Sequence, residues 1–113
     1  MRTAHNRFSF QLYGSRRAEI EMIKISQNAF AGTLESSDCL VTITPNESNE
    51  VNFEINSVVF KQYGNSILKA AQNTVKKFDI SGADIKIQDM GAFDCVIEAR
   101  VETAIKRALK GAE

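Results

Sequence analysis

An α+β fold is expected from three patterns: short stretches where apolar and polar residues alternate, a long stretch where apolar residues recur every three or four positions, and turn clusters between them. Alternation gives a strand one apolar face, and the longer period gives a helix one apolar stripe. The expected architecture is a small antiparallel sheet with two helices packed on one face, in the order β-β-β-α-β-β-α.

Ala29 to Leu34 and Cys39 to Thr44 read as strands, the second with Cys39, Val41 and Ile43 alternating against Leu40, Thr42 and Thr44; the four residues between them close a hairpin. Pro45 to Asn49 is a turn cluster, after which Val51, Phe53 and Ile55 alternate with Asn52, Glu54 and Asn56 as a third strand. Ser57 is placed to cap a helix reaching about Phe78, with Val59, Phe60, Tyr63, Ile67, Ala70, Ala71, Thr74, Val75 and Phe78 forming its core stripe. Gly64 inside that stripe costs about 1 kcal/mol relative to alanine, so a close approach to the sheet is expected there. Ile85 and Ile87 alternate with Asp84, Lys86 and Gln88, and Met90-Gly91 turns the chain into Phe93, Cys95, Ile97 and Ala99, which reads as a second hairpin. A last helix collects Val101, Ala104, Ile105 and Ala108 on one side, with Glu102 and Lys106 at a favourable spacing.

At 113 residues, 43% hydrophobic and 25% charged, the chain suits one compact core. Lysine plus arginine balances aspartate plus glutamate at 14 each, and no basic run with interleaved aromatics appears, so nucleic acid is not an expected partner. No apolar run approaches the roughly 18 residues of a membrane span, and a secretory apolar core is missing, which places the chain in the cytoplasm. Cys39 and Cys95 lack any paired ligand spacing and are expected as buried, reduced thiols; with one histidine, His5, no metal site is expected.

Residues 1–21 sustain neither period and are expected to be an N-terminal leader, an upstream start or disordered tail, followed by a single domain over 22–113. The leader's four arginines, Arg7, Arg16 and Arg17 among them, also suit a basic docking arm.

Chemistry is sparse: no general-acid pair, triad or glycine-rich phosphate cradle can be assembled. What stands out is Ala31-Gly32-Thr33-Leu34-Glu35-Ser36-Ser37-Asp38, a hydroxyl pair at a hairpin tip. Serine and aspartate favour such turns for local hydrogen bonding alone, so the residues by themselves leave a plain turn open. A hydrolase using Ser36 as nucleophile would need a nearby base, which the region after the leader, lacking histidine, does not offer.

The segments QNAFAGTLESSD, FEINSVVFKQYG and GAFDCVIEARVETA, in that order and spacing, resemble the acyl carrier (gamma) subunits of citrate lyase from Met22 to about Leu109. The resemblance implies that Ser36 carries 2'-(5-phosphoribosyl)-3'-dephospho-CoA through a phosphodiester, with Ser37, where the family has glycine or serine, as second choice. It implies a non-catalytic carrier of acetyl and citryl thioesters whose partners are an alpha acyl transferase, a beta citryl lyase and the transferase that attaches the group, in cleavage of citrate to acetate and oxaloacetate. Glu35 and Asp38 flank the attachment point and are expected to keep the charged arm extended. Asp94 and Arg100 are docking or structural residues, a solvated strand face being the plainer reading. The Asp-Ser-Leu of four-helix acyl carriers is missing; the carrier of malonate decarboxylase and a non-enzymatic interaction module are the alternatives.

Overall fold

The computed structural model describes residues 4–10 and 23–110. Strands β1 (Ala4–Phe10), β3 (Ala29–Gly32), β4 (Cys39–Pro45), β5 (Val51–Ser57) and β7 (Ala83–Asp89) form one sheet in the order β1-β5-β7-β4-β3, and β2 (Ile23–Lys24) pairs with β6 (Ile80–Ser81). Helices α1 (Phe60–Val75) and α2 (Asp94–Lys110) pack on each other, α1 also lying against β5 and α2 against β3 and β4. The fold is α+β, as expected, and from Ala29 onward its elements run β-β-β-α-β-β-α.

Alternation decides which face meets the helices. Val41, Ile43, Phe53, Ile55, Ile85 and Ile87 are sealed on the core side against Ile67, Ala71 and Val75 of α1 and Ile97, Val101 and Ile105 of α2. The other face carries Thr42, Thr44, Asn52, Glu54, Asp84 and Lys86 in contact with water. There Asp84 Oδ1 accepts hydrogen bonds from Asn46 and Asn52, both at 2.9 Å.

The sheet is mixed rather than antiparallel throughout: β5 and β7 run parallel, because α1 returns the chain between them in the same direction. The second expected hairpin is absent. Phe93 to Ala99 alternate as a strand would, but Ile97 also begins the series Ile97, Val101, Ala104, Ile105, Ala108, and that helical stripe draws 94–99 into α2 with Asp94 in its first turn. Cys95 is therefore exposed on α2, while Cys39 is buried.

Helix α1 starts at Phe60, later than expected; Ser57 ends β5, and its Oγ accepts the Val59 N–H at 3.0 Å. Gly64 makes room within its own helix rather than for the sheet, since a Cβ there would sit 2.7 Å from the Phe60 ring. Part of the expected leader, Ala4–Phe10, lies in the sheet as β1, antiparallel to β5; the remainder of 1–21 falls outside the described residues. At the opposite edge, Arg107 of α2 donates to the Phe30 carbonyl of β3 at 2.8 Å. Among the described residues, no helix is long and apolar enough to cross a membrane, and no cluster of three or more potential ligands is placed to hold a metal.

Candidate functional site

Between β3 and β4 the chain turns tightly at Glu35-Ser36-Ser37-Asp38, closed by the Asp38 N–H donating to the Glu35 carbonyl at 3.1 Å. Gly32 opens the way into this turn at φ 103; a Cβ there would strike the Cys39 carbonyl oxygen. Ser37 sits at the third turn position with φ 66, a left-handed conformation costly for any residue with a side chain and relieved by glycine. The two neighbouring hydroxyls thus stand on unlike backbone. Both serines are exposed, and neither Oγ is hydrogen-bonded among the described residues.

The turn is held by everything except Ser36. The Ser37 N–H donates to the Met90 carbonyl and the Met90 N–H to the Asp38 carbonyl, both at 2.9 Å, tying the tip to the end of β7. Thr33 Oγ1 donates to Asp38 Oδ2 at 2.7 Å and accepts the Glu35 N–H at 3.2 Å. The Cys39 N–H donates to Asp38 Oδ1 at 2.7 Å. Arg100, two turns along α2, completes the set with Nε on Oδ1 and Nη2 on Oδ2, both at 3.0 Å.

Electrostatics follow from that geometry. The hydrogen bonds from Thr33 and Arg100 hold the Asp38 carboxyl well below the usual range, at about 2, and Asp38 in turn raises the Arg100 guanidinium. Burial, with Asp89 and Asp38 nearby, pushes the Cys39 thiol up to about 12. Asp38 thus faces inward as an acceptor rather than outward as a free charge, contrary to the expected role of keeping an arm extended; of the two carboxylates, Glu35 alone is exposed. Arg100 lies on a helix rather than a solvated strand face, and Asp94 accepts the Ser66 hydroxyl at 2.9 Å.

Sequence reading found the serine tip but not its support. Asp38 and Arg100 are 62 residues apart, and nothing within one sequence links them. Chemically, the site offers two solvent-facing serine hydroxyls, those of Ser36 and Ser37, neither hydrogen-bonded to a base among the described residues.

Residues 26–108 match the family model described as "Malonate decarboxylase delta subunit (MdcD)". The chain is 45% identical over 86 residues, 76% of its length and 85% of the relative's, to the citrate lyase acyl carrier protein of Clostridium perfringens. It is 43% identical over 91 residues, 80% of its length and 96% of the relative's, to the protein of the same name from Halothermothrix orenii. The chain belongs to the citrate lyase acyl carrier protein family. A chain in the crystal structure of a Pseudomonas malonate decarboxylase hetero-tetramer in complex with malonate superposes with a TM-score of 0.71 at 17% identity, covering 96% of this chain and 99% of that one, so the carrier family shares its fold with that chain. Ser36 and Ser37 of this carrier-family chain fall inside the matched region, as do Asp38 and Arg100.

Proposed function

We propose that this chain is the acyl carrier subunit of a citrate lyase, non-catalytic itself, with Ser36 as the attachment residue for 2'-(5-phosphoribosyl)-3'-dephospho-CoA. The observation that carries this reading is a solvent-facing serine hydroxyl, free of hydrogen bonds among the described residues, at the apex of a turn fixed by its neighbours, in a chain of the carrier family. Those features fit a phosphodiester: Ser36 Oγ is open to an incoming phosphorus, and no described side chain competes for it. When attached, the group supplies a terminal thiol for acyl transfer. The chain's own part is to hold the attachment point clear of its core, so that the arm meets partner sites at effective concentrations on the order of millimolar. The alpha acyl transferase, the beta citryl lyase and the attaching transferase are its expected partners, in the cytoplasm, with β1 joining residues 22–113 in one carrier domain. The relatives' names favour citrate lyase, while the family model's description keeps the malonate decarboxylase carrier as a second reading.

Intact mass tests the proposal on protein purified from a host with the full attachment machinery. Wild type and Ser37→Ala are expected to gain the group's mass, and Ser36→Ala to lack it. No added mass on wild type, or retention in Ser36→Ala, would remove Ser36 from the role, while the mass of the acyl group found on the thiol separates the citrate and malonate readings.

A further inference from the structure

Exposed turn tips rich in small polar residues wander unless something ties them down. Here the tie comes from a distant element. Both Asp38 oxygens are doubly occupied, Oδ1 by the Cys39 N–H and Arg100 Nε, Oδ2 by Thr33 Oγ1 and Arg100 Nη2, at 2.7–3.0 Å. Asp38's own N–H and carbonyl are spent on Glu35 and Met90, so its backbone and side chain are both fixed. Ser36 takes no part in these bonds, and its position is set by neighbours on both sides. A planar guanidinium supplies this two-pronged grip, whereas an ammonium offers a single point of charge.

Resting on the reading of Ser36 as the attachment residue, we propose that Arg100 is a positioning residue for that modification, holding the Glu35–Asp38 turn so that Ser36 Oγ meets the attaching enzyme in one orientation. In that step a bond forms between Oγ and the phosphorus of a phosphoric-anhydride donor. The bond from that phosphorus to the leaving phosphate breaks, and the hydroxyl proton passes to a base of the attaching enzyme. Arg100 touches none of the reacting atoms. Its effect is on how often the oxygen lies in line for attack, which alters the rate of the bound complex rather than its formation.

The test uses the full-length unmodified chain, the attaching enzyme and its activated donor, with Arg100→Gln, Arg100→Lys and Thr33→Val as variants. Glu102→Gln, which breaks the Glu102–Lys106 pair elsewhere on α2, is the control. Arg100→Gln is expected to lower the kcat of attachment about tenfold with KM unchanged. Arg100→Lys should not restore the full rate, and Glu102→Gln should match wild type. Amide exchange at Ser37 and Asp38 should quicken in Arg100→Gln while the β4–β7 ladder stays protected. An unchanged kcat would overturn the proposal, as would a loss carried by KM alone, which would make Arg100 a docking contact. Should Arg100→Gln not fold by circular dichroism, Thr33→Val removes one bond to the same carboxylate and is judged alike: a lower kcat at constant KM supports the proposal, an unchanged one sinks it. Failure of the Ser36 reading itself looks different, since wild type would gain no mass or Ser36→Ala would still gain it.

Discussion

Two turns of this molecule, both built from serine and an Asx residue, use their hydroxyls in opposite ways. In the turn between β4 and β5, Ser48 Oγ donates to Asn46 Oδ1 at 3.0 Å and accepts the Glu50 N–H at 3.1 Å, while Asn46 Oδ1 also accepts the Ser48 N–H. Ser48 is a brace. In the turn between β3 and β4, Thr33, Asp38 and Arg100 provide the bracing and Ser36 is left idle. A serine at a turn is thus no sign of function by itself, since its hydroxyl can be spent on the local backbone, as at Ser48, or left unspent, as at Ser36.

The sharpest way to break the contrast is at the entry to the serine turn. Gly32→Val combines φ 103 with a collision against the Cys39 carbonyl and should cost on the order of 3 kcal/mol in urea unfolding, whereas Gly91→Ala, at φ 92 but facing open space, should cost about 1 kcal/mol. Next comes Arg100→Gln, expected to lower the urea midpoint by a smaller step than Gly32→Val, because it leaves Asp38 short of its fork in a solvent-screened pair. Acid gives the same bond a second handle. Because the Asp38 carboxyl titrates near 2 when folded against 3.8 ordinarily, its contribution is complete above the ordinary value and fades as pH falls toward 2. Melting curves of wild type should therefore drop more steeply below pH 4 than those of Arg100→Gln. The smallest effects separate the hydroxyls themselves. Ser48→Ala should cost about 1 kcal/mol and Ser36→Ala less than about 0.5 kcal/mol, so a large loss in Ser36→Ala would show that its oxygen braces the fold after all.

Much of this fold is legible in the sequence, because a half-buried sheet writes its two faces into alternating residues: Cys39 to Thr44 and Val51 to Asn56 lie where that pattern puts them. The α2 start is not so readable, since Phe93, Cys95, Ile97 and Ala99 satisfy a period of two, and only the packing of Ile97 with Val101 against the core decides for the helix. Parallel pairing of β5 with β7 depends on where α1 delivers the chain, which periodicity does not encode. At the site, the Ser36 turn is visible as a local cluster of turn formers, but the bond from Arg100 is a product of tertiary structure. Gly64 teaches a related limit: a glycine signals that something is close without saying what, and here it is the Phe60 ring of the same helix.

The contact from Arg107 to Phe30 has a consequence for how the molecule keeps company with its own copies. β3 is a border strand of four residues, and borders of this kind invite zipper-like growth into polymers. With the Phe30 oxygen already engaged by a cation from α2, an intruding chain finds a short rail with one rung occupied. That engaged oxygen makes the hairpin's flank a poorer template for a second copy than an open rail of the same length.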